Sequence, residues 1–149
     1  MMENDEYYMR QALYEAEKAL GADEVPVGAI LVKENKIIQR AYNQTILKND
    51  PTAHAEVLAI RAACHIVNNH RLPDCDLYVT LEPCAMCLGA LIQARIKRLI
   101  FGAYDPKAGA VKSIMRFPFE KTNHSLEIKG GILEAECGKI LKDFFKAKR

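Results

Sequence analysis

The sequence predicts a three-layer α/β/α sandwich built on a mixed sheet of about five strands. Its length of 149 residues is that of one domain. Short apolar runs typical of strands alternate with longer amphipathic segments typical of helices, a pattern that indicates a sheet covered by helices. Two of the runs are separated only by a turn, which predicts a hairpin and makes the sheet mixed. We therefore expect residues 1–149 to form a single α/β domain.

The first predicted element is an amphipathic helix near the N-terminus. Its apolar face consists of Met9, Leu13, Ala16 and Leu20. These positions recur at the three- and four-residue spacing of one helix face. Asn4 or Asp5 is the expected N-cap, and Gly21 is the expected end of the helix.

A β-hairpin is predicted next. Residues 27–32 (VGAILV) form a short apolar run that suits a buried strand. Residues 34–36 (ENK) have the composition of a turn, and residues 37–42 (IIQRAY) return as the second strand. The polar stretch 43–52 that follows is expected to be a loop.

The rest of the chain alternates between helix and strand. The predicted elements are a helix over 53–63, a strand over 77–81, a helix over 84–94, a strand over 98–103, an irregular stretch over 104–122, an edge strand near 126–128 and a final helix. The apolar stripe of that final helix contains Leu133, Cys137, Ile140, Leu141 and Phe144. Strands separated by helices in this way are typical of an α/β domain.

The composition excludes several classes of protein. Half of the residues are hydrophobic and 27% are charged, which is the balance of a globular chain rather than of a disordered or fibrous one. The longest apolar run, residues 84–92, is shorter than the roughly 18 residues that a membrane span needs. The N-terminal stretch is acidic and has no apolar core, so we expect no secretory signal, a cytoplasmic location and no membrane partner.

Charge is distributed unevenly along the chain. The net charge of +2 is too small to indicate a nucleic-acid partner by itself. Residues 1–24 carry seven acidic and two basic side chains, a net of −5. Residues 138–149 carry one acidic and five basic side chains, a net of +4. On charge alone, this basic end is interpreted as a solvated helix terminus.

The cysteines point to metal binding or catalysis. They are Cys64, Cys75, Cys84, Cys87 and Cys137. An odd number in a chain with no expected signal peptide does not indicate a disulfide framework. Cys64 and Cys137 lie on apolar helical segments and are expected to be small buried hydrophobic residues.

Two short segments hold the candidate chemistry. His54 and Glu56 stand at the start of one predicted helix, and Cys84 and Cys87 at the start of another. Two cysteines three residues apart share a helix face and can chelate one ion, with His54 as a third ligand if the helix starts converge. Three such ligands leave a fourth position open, which is the pattern of a catalytic zinc site that activates water at neutral pH. Glu56 is the candidate general acid–base, since that role does not require it to bind the metal.

Two other interpretations stay open on these residues alone. A CxxC pair that opens a helix is also typical of a thiol oxidoreductase. A non-catalytic zinc module results if Cys64, Cys75 or another histidine closes the fourth position. The two segments occur together, in this order and 30 positions apart, which favours the catalytic interpretation.

The H-x-E…P-C-x-x-C pattern resembles that of the zinc-dependent nucleobase deaminases. The stretches DPTAHAE, LYVTLEPCAMCLGALIQARI and FGAYDPKAGA resemble the bacterial tRNA adenosine deaminases of the cytidine and deoxycytidylate deaminase superfamily. The resemblance extends from about Glu24 to the C-terminus. It implies hydrolytic deamination of adenosine to inosine at the wobble position of a tRNA anticodon, with one zinc ion per subunit.

The resemblance also implies roles for individual residues. His54, Cys84 and Cys87 match the zinc ligands, and Glu56 matches the proton shuttle. The positions that match substrate-binding residues are Asn43, Asp105, Lys107, Phe145, Lys148 and Arg149. Tyr104 departs from the family, whose members often carry Arg there. It either weakens a phosphate contact or adds a stacking surface for a base.

The partners implied by the resemblance are the anticodon stem-loop of a tRNA and a second copy of the chain in a homodimer. The alternative is a zinc-dependent deaminase of a free nucleobase or nucleoside, such as guanine, cytosine or cytidine. Such an enzyme would need neither a basic C-terminal helix nor a loop that faces RNA.

Overall fold

The computed structural model describes residues 2–148 and confirms the predicted mixed five-stranded α/β fold. Its elements are α1 (Met2–Gly21), β1 (Gly28–Lys33), β2 (Lys36–Tyr42), α2 (Ala55–Val67), β3 (Cys75–Leu81), α3 (Ala85–Gln93), β4 (Arg98–Ala103), a 3₁₀ turn (Phe119–Lys121), β5 (Glu127–Lys129) and α4 (Glu134–Ala147). The strand order across the sheet is β2-β1-β3-β4-β5.

The hairpin is the reason that the sheet is mixed. Strand β1 runs antiparallel to both of its neighbours, β2 and β3, while β3, β4 and β5 are parallel. The hairpin turn consists of Glu34 and Asn35, which both have positive φ angles, of 51° and 61°. Two central residues with positive φ are typical of the tight turns that match the twist of paired strands. Strand β2 therefore runs in the same direction as β3 and β4.

Apolar side chains alternate between the two faces of the sheet and form a core on each. Leu31, Leu77 and Leu99 face helices α2 and α3. Ile30 and Tyr78 face α1 and the N-terminal half of α4. The contact between α1 and β1 is close, because a side chain at Gly28 would overlap the α1 backbone. These two cores account for the three layers.

The carboxyl ends of β2, β3 and β4 meet at one edge of the sheet, because the three strands run in the same direction. Asn43 follows β2, Glu82 follows β3 and Tyr104 follows β4. Helices α2 and α3 also begin near this edge. Ligand sites of α/β sheets lie outside the carboxyl ends of their strands, so the fold places the candidate residues where such a site is expected.

The predicted N-cap of the first helix is wrong. Helix α1 begins at Met2, so Asn4 and Asp5 both lie inside it. Asp5 is 1% exposed, and its carboxylate bonds to Arg98 at 3.1 Å and to Lys129 at 3.2 Å. The Tyr78 hydroxyl donates a further hydrogen bond of 2.5 Å to it. A long-range ion network therefore replaces the local capping role.

The Asp5 network ties α1 to β3, β4 and β5. Burial raises the pKa of the Asp5 carboxyl, but hydrogen bonds from Tyr78, Arg98 and Lys129 outweigh burial and hold that pKa below its usual value.

None of the helices that the structure describes is both long and apolar enough to cross a membrane.

We expect Asp5→Asn to lower the free energy of unfolding at pH 7 by about 2 kcal/mol, because charge-assisted hydrogen bonds are lost. Since the pKa of Asp5 is lower in the folded state than in the unfolded chain, its contribution is present above the unfolded value of about 3.9. This contribution to stability is lost as the pH falls through the pKa that Asp5 has in the folded state. Urea unfolding from pH 7 down to about 3 should show the two proteins converging. Asp143→Asn, at an exposed pair, is the control. A difference that stays constant with pH would contradict this account.

Candidate active site

The starts of α2 and α3 bring one histidine and two cysteines together. His54 and Cys84 are the N-cap residues of the two helices, and neither side chain caps its own helix. Helix α2 begins at Ala55 and α3 at Ala85, each slightly later than predicted. His54 and Cys84 therefore lie just before the helices rather than inside them. His54 Nδ1 lies 3.7 Å from Cys84 Sγ and 3.5 Å from Cys87 Sγ, and all three ligand atoms lie within 4.8 Å of one another.

These distances fit a single tetrahedral metal ion. Nitrogen and sulfur ligands bind zinc at about 2.0–2.3 Å, which places neighbouring ligand atoms about 3.5 Å apart. Among residues 2–148, no histidine, cysteine or carboxylate joins the group as a fourth ligand. Cys75 is buried in the core beneath α2, and Cys64 packs against that core. The structure therefore gives no support to a site closed by four protein ligands.

The pKa values of the two cysteines are shifted in opposite directions. The Cys87 thiol donates a hydrogen bond to Cys84 and, together with His54, lowers the pKa of Cys84 to about 3 despite burial. The same hydrogen bond and burial raise the pKa of Cys87. The hydrogen bond to Cys84 also raises the pKa of His54. Cys84 is consequently a thiolate, the form of cysteine that binds metal ions.

Glu56 lies beside this group in the first turn of α2. It is 4% exposed, and burial raises the pKa of its carboxyl above the usual value for glutamate. Its carboxyl contacts the Cys87 thiol, but it is not a member of the three-residue group. A raised pKa makes the carboxyl easier to protonate, which suits a general acid–base.

A cavity of about 270 Å³ opens over the group. It lies at the strand ends, and its polar lining includes Asn43, His54, Glu56 and Asp105. Pockets for drug-sized ligands begin at about 300 Å³, so this cavity suits one small chemical group. The cavity brings the predicted Asn43 and Asp105 together with the metal-binding group.

A larger groove of about 650 Å³ continues from this cavity. The two spaces share Val25, Leu81 and Asp105 as lining residues. The groove runs between α4 and the loop after β4, and Lys107 and Phe145 line it. The structure therefore places these two predicted residues beside the cavity rather than inside it.

The last three residues singled out from the sequence are Lys148, Arg149 and Tyr104. Lys148 does not line the groove, since its ammonium group is 2.6 Å from Asp23 and 5.5 Å from the centre of the Phe144 ring. Arg149 lies outside the described residues. Tyr104 lines the groove, is 37% exposed and packs edge-on against Phe101 at 5.0 Å.

Sequence reasoning missed two buried glutamates at the edges of the site. Glu24 accepts hydrogen bonds from the backbone N–H groups of Ile46 and Leu47, at 3.1 and 2.6 Å, in the loop after Asn43. Glu82 lines the cavity and accepts bonds from the loop after β4. From the sequence, each glutamate is recognisable only as a polar residue near a strand, because its hydrogen-bond partners are 21 or more positions away.

Comparisons with known proteins agree with this geometry. The family model described as MafB19-like deaminase matches residues 3–149. A tRNA-specific adenosine deaminase of Agrobacterium fabrum is 49% identical over 144 residues, which are 96% of this chain and 95% of that protein.

Two solved structures are also similar. One, from a study of A-to-I editing by tRNA:A34 deaminases at the wobble position, has a TM-score of 0.86 and 48% identity, and the match covers 91% of this chain and 99% of that one. A guanine deaminase of Nitrosomonas europaea has a TM-score of 0.79 at 23% identity over 93% of this chain and 83% of its own, which is a likeness of fold.

We expect Cys84→Ser and Cys87→Ser each to reduce bound metal from about one equivalent per chain to a small fraction, and to lower the melting temperature, because metal binding and folding are coupled. Elemental analysis of the purified proteins measures this. The matched control is Cys64→Ser, a half-buried cysteine outside the group, which should keep its metal. Full metal content in both site variants would refute the ligand set.

Proposed function

The chain belongs to the deaminase family that includes the bacterial tRNA-specific adenosine deaminases, and from this we propose that it hydrolyses adenosine to inosine at the wobble position of a tRNA anticodon. The observation that carries the proposal is the position of a His-Cys-Cys group and a buried glutamate at the floor of a cavity that suits one base. The whole of residues 1–149 is proposed to act as this one catalytic domain.

The metal is proposed to be zinc, held by His54, Cys84 and Cys87. One imidazole and two thiolates form a donor set that zinc prefers, and three protein ligands leave a position open. Zinc bound there would supply an activated water for attack on C6 of the adenine. Helices α2 and α3 both begin at the His-Cys-Cys group, and the partial positive charge of their N-termini favours thiolates and other anionic groups there.

Glu56 is proposed to move the protons of the reaction. Its carboxyl lies beside the metal-binding group and faces the cavity. It takes a proton from the attacking water, delivers it to N1 of the adenine and later helps to protonate the departing amine, so that ammonia leaves and inosine remains. Burial, which raises its pKa, suits a group that must change its protonation state twice in one turnover.

Asn43 is proposed to bind the edge of the purine. It is 8% exposed and lines the cavity, and its own backbone N–H donates to the Val27 carbonyl at 3.0 Å. An amide side chain can both donate and accept, as recognition of a purine edge requires. The hydrogen bond to Val27 holds the Asn43 backbone at the end of β2 before the base arrives.

The groove beside the cavity is proposed to hold nucleotides that flank the target adenosine. Tyr104 and Phe145 present exposed rings for base stacking. Lys107, Lys142 and Lys146 line the same groove, and lysine ammonium groups can pair with phosphates. Of the two roles open to Tyr104, its exposed ring favours the stacking surface. Roles for Lys148 and Arg149 at the RNA remain predictions from the resemblance.

A homodimer in the cytoplasm is proposed as the working form. Exposed apolar side chains on α3 and in the loop after β2 offer a surface for a second copy, with Met86 38%, Ile46 68% and Leu47 62% exposed. A dimer would also widen the surface that an anticodon stem-loop can contact. Sedimentation at micromolar concentration tests this, and a clean 16.8 kDa species would count against it.

The direct test of the function compares substrates on the metal-replete protein. An anticodon stem-loop RNA with adenosine at the wobble position is incubated beside free adenosine, guanine and cytidine, and inosine or ammonia is measured. We expect inosine in the stem-loop and no turnover of the free compounds. Turnover of a free compound with the RNA unchanged would instead establish a nucleobase or nucleoside deaminase.

Glu56→Gln should lower the deamination rate on the stem-loop by at least about 100-fold, the scale of a lost general acid–base. Its zinc content should match the wild type, because Glu56 lies outside the ligand group. The control is Glu136→Gln, a half-exposed glutamate on α4, which should behave as wild type. An active Glu56→Gln protein would remove Glu56 from the mechanism.

Phe145→Ala should raise the KM for the stem-loop about tenfold, the scale of one lost base-stacking contact, and leave kcat nearly unchanged. Tyr14→Ala is the control, because Tyr14 is another exposed aromatic residue but lies on α1, outside the groove. Steady-state kinetics on one stem-loop preparation give both constants. Equal KM values for the two variants would exclude the groove from substrate binding.

A further inference from the structure

Glu82 is a buried carboxylate surrounded by backbone N–H groups. It is 2% exposed, and no Lys, Arg or His among residues 2–148 forms an ion pair with it. Oε2 accepts hydrogen bonds from Val111 at 3.0 Å, Lys112 at 2.8 Å and Ser113 at 3.1 Å. Oε1 accepts from the backbone of Asp105 at 3.0 Å and from the Ser113 hydroxyl.

These bonds compensate for the burial of the charge. A buried carboxylate without partners is strongly destabilising, whereas one that accepts several N–H bonds keeps its charge. The Glu82 carboxylate therefore depends on these backbone groups in place of solvent.

The bonds close residues 105–113 into a loop around the carboxylate. Asp105 stands at one end of this segment, and Val111 to Ser113 stand at the other, so Glu82 holds both ends. A further hydrogen bond joins the segment to the turn between β3 and α3, since the Ala110 N–H donates to the Pro83 carbonyl at 2.9 Å. The loop is thereby fixed to the residues that immediately precede Cys84.

The loop also fits closely around the carboxylate. A Cβ atom at Gly109 would overlap the Glu82 carboxylate. Position 109 therefore has to be glycine if the loop is to close in this form. This close approach is independent of the hydrogen bonds and supports the same conclusion.

The loop forms the wall between the cavity and the groove. Asp105 lines both spaces, and Lys107 lines the groove. The Asp105 side chain is itself fixed, because it accepts bonds from the backbone of Lys107 at 3.0 Å and Ala108 at 3.2 Å. Glu82 thus determines where these two side chains stand relative to the metal-binding group.

We propose that Glu82 is a positioning residue for the RNA substrate: by holding residues 105–113 it sets the wall against which the target adenosine and its neighbours bind. The inference rests on the proposed function, because it assigns the loop to substrate. In Glu82→Gln an amide NH₂ replaces one acceptor oxygen and faces backbone donors. The loop should then loosen while the metal ligands stay in place.

The first measurement is amide hydrogen exchange without RNA, followed by mass spectrometry of peptides that cover residues 105–113. Glu82→Gln and Gly109→Ala should each accelerate exchange there by at least about tenfold, since exchange reports local opening. Ser113→Ala, which removes a single bond, should do the same to a smaller extent and serves if Glu82→Gln does not fold. The control is Glu15→Gln, because Glu15 is a glutamate buried to the same 2% that pairs with Lys18 and Arg40 away from the loop.

The second measurement is the split between KM and kcat on the stem-loop. Glu82→Gln and Gly109→Ala should raise the KM at least about tenfold, a loss that corresponds to roughly 1.4 kcal/mol of binding, with kcat and zinc content close to wild type. Glu15→Gln should lower only the melting temperature.

The outcomes separate the two claims. Unchanged exchange in the loop would show that Glu82 does not hold it. Faster exchange with a KM equal to that of Glu15→Gln would show that the loop does not position substrate, and either result overturns the proposal. If the wild-type protein makes no inosine, the proposed function fails and substrate positioning fails with it. The exchange measurement would still decide whether Glu82 holds the loop.

Discussion

The shared direction of β2, β3 and β4 is the constraint on which the rest of the site depends. It brings three strand ends and the starts of α2 and α3 to one edge of the sheet. Two helix N-caps placed there can approach within 3.7 Å without any special local motif. The direction of β2 depends in turn on a two-residue hairpin with positive φ at Glu34 and Asn35. The hairpin therefore contributes to the common strand direction that brings His54 and the two cysteines to the same end of the sheet.

Buried carboxylates have different kinds of partner at the two ends of the sheet. At the end away from the site, Asp5 pairs with Arg98 and Lys129 and ties helix and strands together. At the site, Glu24 and Glu82 accept backbone N–H groups from the loops beside the cavity. Loops at a binding site have few apolar side chains to bury, so a carboxylate that collects their backbone donors is an effective way to order them. The cavity is accordingly bordered by ordered loops.

Local patterns predicted the strands, the helices and the metal-binding group, because apolar periodicity and ligand spacing are short-range signals. The same reasoning assigned Asp5 to a cap, since a carboxylate near a helix start fits that role, and no local signal reveals an ion pair with a residue 93 positions away. Glu82 was missed for the same reason, as its partners are 23 to 31 positions away. Sequence spacing therefore identified the candidate reactive groups, and the fold was needed to identify the residues that hold the loops around them.

X-ray absorption at the zinc edge of the purified protein tests the central claim most directly, because it counts the atoms around the metal. Two sulfur and two lighter ligands are expected, one of the lighter ones being His54 and the other a solvent oxygen, since three protein ligands leave one position open. A first shell of three or more sulfurs, or of protein atoms alone, would contradict the account. It would make the site a closed structural centre and leave Glu56 with no water to deprotonate.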